Sequence, residues 1–180
     1  MKRYIQDYFM LLVPVGLIIL LDQWTKSWVR SNIAFGESWG PEWLAPFARI
    51  VHWYNTGAAF GLFQGMGTVF IILAFVISIA ILIYYPRVPR QDWTLRLAMS
   101  LQMAGALGNL IDRLTIGHVT DFIAIGSFPV WNIADASITV GVFVLLLGIW
   151  LQERREKAER MEKLTFPPDR EIPKPEEGSS

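Results

Sequence analysis

The chain is 180 residues long, 53% hydrophobic and formally uncharged overall, with 8 Trp, 11 Phe, two His and no Cys. Such a composition is too oily for an ordinary soluble surface and places the chain in a membrane. It also excludes disulfides, thiolate nucleophiles, the usual zinc spacings and a basic nucleic-acid patch, so neither a metal nor a cofactor is expected.

The first predicted span covers residues 8–24, with a clean apolar centre, Pro14 at a position to kink it and Asp22 near its exit. Lys2, Arg3 and Asp7 precede it and no small-residue cleavage site follows, which favours an uncleaved span over a removed signal peptide. An outer segment follows, over about residues 27–67. Within it, residues 38–47 place Trp43, Leu44 and Phe47 around two prolines, as in a short amphipathic piece lying in the interface. Residues 49–54 (RIVHWY) read as a short strand. Gly57, Gly61, Gly65 and Gly67 permit a mobile lid.

Residues 68–85 form an unbroken run of 18 uncharged residues, about 27 Å of helix at 1.5 Å per residue, and are the clearest span. The third span, residues 93–111, is the weakest by hydropathy, but Ala98, Ser100, Ala104, Gly105, Ala106 and Gly108 suit close helix packing. The fourth covers residues 130–151, with Trp131 and Trp150 placed as interfacial anchors. Residues 152–180 form a charged tail that begins as a helical extension and ends in a Pro- and Glu-rich disordered stretch.

The expectation is an all-α integral membrane protein with a four-helix domain over residues 1–151. Four spans put both termini on one side. Lys2, Arg3, Arg87, Arg90, Arg154, Arg155, Lys157, Arg160 and Lys163 make that side the cytoplasm, leaving Asp121 and Asp135 at the outer face.

Polar residues gather at that depth: Asp22 with Lys26, Asn55 with Gly57, Asn109 with Asp112 and Arg113, Asp121, and Asn132 with Asp135. Ionisable groups in a span are expensive and mark functional sites. Each also has a plainer reading. Asp22 and Lys26, four apart, form a pair that closes a helix end. Arg113 is a clamp on loop carbonyls or a substrate holder. Asp135 caps a helix start, and Asp121 is a charge at a loop edge. Gly126 and Pro129 break any single helix between the two aspartates, so they meet only through a hairpin-like return. If they meet, both cannot ionise comfortably, and the pair becomes one acid and one base able to activate water. Spacing alone does not show that contact. No Ser/Lys, Ser/His or Gly-x-Ser-x-Gly arrangement is present, which disfavours serine chemistry. A proton-coupled transporter and a structural membrane subunit are the rival classes. The first wants acids throughout the bilayer depth or repeated broken helices, and the second needs no clustered acids.

Five motifs occur in order: LDQWTK at 21–26, NTGAAFG at 55–61, GALGNLIDR at 105–113, GHVTDFI at 117–123 and FPVWNIADA at 128–136. Together they resemble lipoprotein signal peptidase, also called signal peptidase II, over about residues 10–150. The resemblance implies an aspartic endopeptidase of the bacterial inner membrane, four helices with a small extracytoplasmic β-cradle; separately, a monomer is expected. Its partners would be membrane lipid and prolipoproteins carrying diacylglycerol on a cysteine, cut just before that cysteine. By motif, Asp121 and Asp135 are then the catalytic dyad. Asn55, Gly57, Asn109, Arg113 and Asn132 line or brace the substrate groove, and Asp22 and Lys26 support it. Trp131 stands where Phe is more usual, and the tail is longer than the core requires.

Overall fold

The computed structural model describes residues 2–57 and 62–165. The centre of the proposed lid, including Gly61, and the last part of the tail lie outside the described residues. The elements run α1 (Lys2–Asn32), β1 (Ser38–Trp39), β2 (Ala48–Asn55), α2 (Gly67–Tyr84), a 3-10 turn (Tyr85–Arg87), α3 (Trp93–Thr115), β3 (Val119–Ile125) and α4 (Ile133–Thr165). By length and composition, α1, α2 and α4 are apolar enough to cross a membrane.

α3 falls short of that hydropathy for a visible reason. It lies among α1, α2 and α4, and its buried face carries Arg96, Ser100, Gly105, Gly108, Asn109 and Asp112. A helix covered by other helices can hold polar and small residues that a lipid-facing one cannot. α2 is the opposite case: only Ala74, Ser78 and Ile81 of its 18 residues are buried. Its exposed faces are Val, Ile, Leu and Phe, an apolar surface far beyond what a water-soluble protein presents.

Glycine sets the α3–α4 distance. A Cβ on Gly105 would strike the carbonyl of Ala134 and the side chain of Ile138. One on Gly108 would lie 2.8 Å from Asp22 and 3.1 Å from the Ala134 methyl. These contacts realise the small-residue packing expected of the third helix. Leu11, Val15, Ile81, Tyr85, Met103 and Ala104 fill one core between α1, α2 and α3. At that end Asp7 is clamped by Arg96 at 2.7 Å and Arg90 at 3.0 Å.

The sheet is antiparallel, in the order β1–β2–β3. β2 matches the predicted strand with one residue added at each end. Residues 38–39, expected in an amphipathic piece, pair instead with Val51 and Ile50 of β2, and a chain of turns follows to residue 47. β3 is a strand that the sequence pattern does not announce. It pairs Ile123 with Ile50, Asp121 with Trp53 and Val119 with Asn55. A second core of Val29, Ile33 and Phe122, backed by Ile50, Ile123 and Ile133, fastens the sheet to α1 and α4.

α1 is longer than the predicted 8–24 and runs through Pro14 as one element, because residues 25–32 continue the helix beyond the apolar stretch to meet the sheet. α4 likewise extends past residue 151 as an exposed charged helix. Replacing Gly105 with Val is expected to destabilise the fold by about 1–3 kcal/mol by prising α3 from α4. Gly16→Ala, with nothing within 4 Å of the new methyl, should be near neutral. Thermal unfolding of the two variants in detergent checks the contrast.

Candidate active site

The chain returns on itself after β3. Gly126, at φ 52°, turns the backbone, and its N–H donates to the Phe47 carbonyl at 2.8 Å. Trp131 then bonds back to β3, donating to the Ile123 carbonyl at 3.0 Å and accepting from the Ile123 N–H at 2.8 Å. This return delivers Asn132 and the first turn of α4 to the side of Asp121.

Asn132 is the cap of α4, and the geometry is a reciprocal capping box. The Asp135 N–H donates to Asn132 Oδ1 at 2.9 Å, while the Asn132 N–H donates to Asp135 Oδ2 at 3.3 Å. The capping role open to Asp135 is therefore real, and it coexists with a second one. Asn132 Nδ2 donates to Asp121 Oδ1 at 2.7 Å. One asparagine thus touches both carboxylates.

Two more carboxamides complete the donor set. Asn55 Nδ2 donates to Asp121 Oδ2 at 2.9 Å, and Asn109 Nδ2 donates to Asp135 Oδ1 at 2.7 Å. Each is held from behind: Asn55 Oδ1 accepts from the Gly57 N–H at 2.9 Å, and Asn109 Oδ1 accepts from Lys26 Nζ at 2.9 Å. Gly57 has no room for a side chain, since a Cβ would collide with the Leu62 carbonyl. Asp121 is 1% exposed. Burial, then the charge of Asp135, pushes its carboxyl up to about 7. Asp135 is half-buried and lines the groove described below.

Asp22 and Lys26 are fully buried and paired at 2.8 Å. They do more than close a helix end. Lys26 also meets Asp112 at 3.3 Å, and Asp22 Oδ1 accepts the Ala134 N–H of the first turn of α4 at 2.9 Å. Asp112 Oδ2 accepts the Thr120 N–H next to Asp121 at 3.0 Å. Gln23 donates to Asp22, to Asp112 and to the Gly108 carbonyl. Gln23, Thr120 and Asp112 are missing from the site drawn by motif, although Asp112 belongs to the polar cluster seen in the sequence. The one available signal is that Asp112 lies three residues from Asn109, on the same face of α3.

Arg113 acts as a clamp on a loop carbonyl, its Nη2 donating to Gly57 at 3.0 Å, with its guanidinium 4.8 Å above the Phe70 ring. Its Nε is buried and has no hydrogen-bond partner among the described residues. Beside it opens a cavity of about 770 Å³ with largely apolar walls from α2, α3 and α4, including Phe70, Leu73, Ile77 and Ile138; Asn55, Asn109, Arg113 and Asp135 form its polar side. His118 stands apart, against the Tyr54 ring at 4.0 Å.

Residues 15–151 match the family model described as signal peptidase (SPase) II. The lipoprotein signal peptidase of Desulfitobacterium hafniense (strain Y51) is 36% identical over 146 residues, 81% of this chain and 95% of that one. That of Staphylococcus aureus (strain Newman) is 35% identical, over 79% of this chain and 88% of that one. A bacterial membrane enzyme solved in meso at 2.3 Å resolution superposes with a TM-score of 0.74 at 32% identity, covering 79% and 88% of the two chains. A second, solved at 1.9 Å, gives 0.69 at 33% identity. Identity of this order across nearly the whole length of its relatives means that the chain belongs to the signal peptidase II family, the lipoprotein-processing proteases.

Proposed function

We propose that the chain is a membrane aspartic endopeptidase that removes signal peptides from diacylglyceryl-modified prolipoproteins, cutting just before the lipidated cysteine. The observation that supports this most directly is the joining of Asp121 and Asp135 through Asn132 at the polar side of an apolar groove. In this reading all four long helices cross the bacterial inner membrane with both termini in the cytoplasm, and the pair works near the outer face. The enzyme acts as a monomer, and the acyl chains of the substrate stay against the apolar walls while the peptide crosses the polar side.

The dyad shares a proton and titrates as a unit. Its ionised member takes a proton from water, whose oxygen attacks the scissile carbonyl carbon, and its neutral member gives a proton to the carbonyl oxygen. On collapse of the resulting gem-diol the C–N bond breaks and the proton taken from water passes to the leaving amine of the cysteine. The other carboxylate takes back a proton from a diol hydroxyl, which leaves a carboxyl group and restores the dyad. No metal or covalent nucleophile is required. Asn55, Asn109 and Asn132 keep the carboxylates aimed, and Arg113 with Gly57 braces the loop that carries Asn55.

Purified protein in detergent should cut a diacylglyceryl-modified prolipoprotein before the lipidated cysteine, with a rate unchanged by chelator. Asp121→Asn and Asp135→Asn should each abolish cutting while leaving the protein inserted, and Asp112→Asn should slow it less. Robust turnover by either dyad variant sinks the aspartic mechanism. No cutting by folded wild type returns the acids to transport or to structure.

Burial and the charge of Asp135 push the Asp121 carboxyl from 3.8 up to about 7, and because the pair titrates together the native dyad holds an extra proton between these values. Its contribution to stability is full below about pH 4 and is lost as pH rises through about 7. The melting temperature should fall across that window in wild type and do so less in Asp121→Asn. Cleavage should decline on the alkaline side as the neutral acid is lost. A melting profile with the same slope in both proteins contradicts this assignment.

A further inference from the structure

We propose that Lys26 is the positioning residue of the acid pair: from α1, with Asn109 as intermediary, it sets the direction of the hydrogen bonds that reach both carboxylates. The inference rests on the peptidase reading above and deepens it.

An ammonium group can only donate. The Asn109 atom 2.9 Å from Lys26 Nζ must therefore be the carbonyl oxygen, which turns the Asn109 amide nitrogen toward Asp135, 2.7 Å away. The same oxygen accepts from Asn132 Nδ2 at 3.2 Å, and that nitrogen also donates to Asp121 at 2.7 Å and to the Thr120 carbonyl at 3.4 Å, which supports the same orientation. The opposite end of the Asn132 carboxamide is then an acceptor, and it takes the Asp135 N–H. If Asn109 were flipped, an oxygen would face the Asp135 carboxylate and two donors would face Lys26 and Asn132. One buried cation makes that arrangement costly.

Among the described residues, Lys26 forms no hydrogen bond or ion pair with Asp121 or Asp135. Its hydrogen-bonded link to them runs through Asn109, beside its charge acting through space and its pairing with Asp22 and Asp112, which hold the Ala134 and Thr120 N–H groups. Asp22 at 2.8 Å and Asp112 at 3.3 Å hold the ammonium in place. Asp22, Asp112 and Asn109 Oδ1 together take the three N–H donors of the ammonium, so the contact satisfies Lys26 and orients Asn109 at once.

Lys26→Met alone strands two buried carboxylates, so the test uses charge-balanced pairs. In the Asp22→Asn background the new carboxamide oxygen can still accept the Ala134 N–H, and Asp112 keeps Arg30, Gln23 and the Thr120 N–H. Cleavage of a diacylglyceryl-modified prolipoprotein is measured for Lys26→Met/Asp22→Asn, Lys26→Gln/Asp22→Asn, Asn109→Ala and the triple variants, alongside melting temperatures. The Met pair should lose kcat roughly 10- to 100-fold, the effect of one hydrogen bond to a charged group, with KM little changed. Gln, which keeps a donor, should recover much of that loss. Adding Asn109→Ala to the Met pair should cost little more than Asn109→Ala alone, because both remove the same link.

Additive losses, equal rates for the Gln and Met pairs, or failure of both pairs to fold would each reduce Lys26 to a structural role and overturn the inference while wild type still cuts. A folded but idle wild type would remove the peptidase reading and this inference together.

Discussion

Everything at the site depends on how closely α3 approaches α4. The carbonyl of Ala134 and the side chain of Ile138 occupy the space where Gly105 would carry a Cβ, and Gly108 leaves room for the Asp22 carboxylate. Without that approach Asn109 on α3 could not reach Asp135 on α4 through a single hydrogen bond. Lipid tails supply no hydrophobic drive for helix association, so packing and interhelical hydrogen bonds must do the work. Here both act at the same place.

The second constraint is the cost of burying charge. Asp22, Lys26 and Asp112 are almost completely shielded, and an isolated ion there would be prohibitive. The cluster persists because its groups are paired and because the remaining carboxylate lone pairs accept backbone and amide N–H groups from α4, β3 and Gln23. The same bonds fix where the functional segments begin: Asp22 holds the first turn of α4, and Asp112 holds the residue before Asp121. The three asparagines follow a common plan. Each gives its amide N–H to a carboxylate, and each has its carbonyl oxygen engaged by a donor on the other side: the Gly57 N–H, Lys26, or the Asp135 N–H.

Much of this is legible in the sequence, for identifiable reasons. An aspartate such as Asp135 in an apolar helix stands out because lipid penalises it, and Gly126 and Pro129 require the return that the structure makes. The clearest span is recognisable because the protein buries only Ala74, Ser78 and Ile81 of α2, leaving an apolar surface with no charged residue to interrupt the run. α3 looks weak as a span for the converse reason, since its partners rather than lipid face its small and polar residues. β3 escapes notice because burial on both faces and an internal aspartate erase the alternation that marks a half-buried strand. The pairing of Asp22 with Lys26 is readable from their four-residue spacing. The third partner, Asp112, lies 86 residues beyond Lys26 and is not. Only a fold brings such residues together.

The capping box at the head of α4 carries one more consequence. Asp135 Oδ2 closes the box by accepting the Asn132 N–H, and a neutral carboxyl is a poorer acceptor than a charged one. In the proposed mechanism, a proton landing on Asp135 would therefore weaken one of the two bonds that close the head of this helix. Protonation chemistry and the tautness of that helix end are mechanically linked. On that proposal, the Asn132 N–H is held more tightly while Asp135 is charged than while it is neutral.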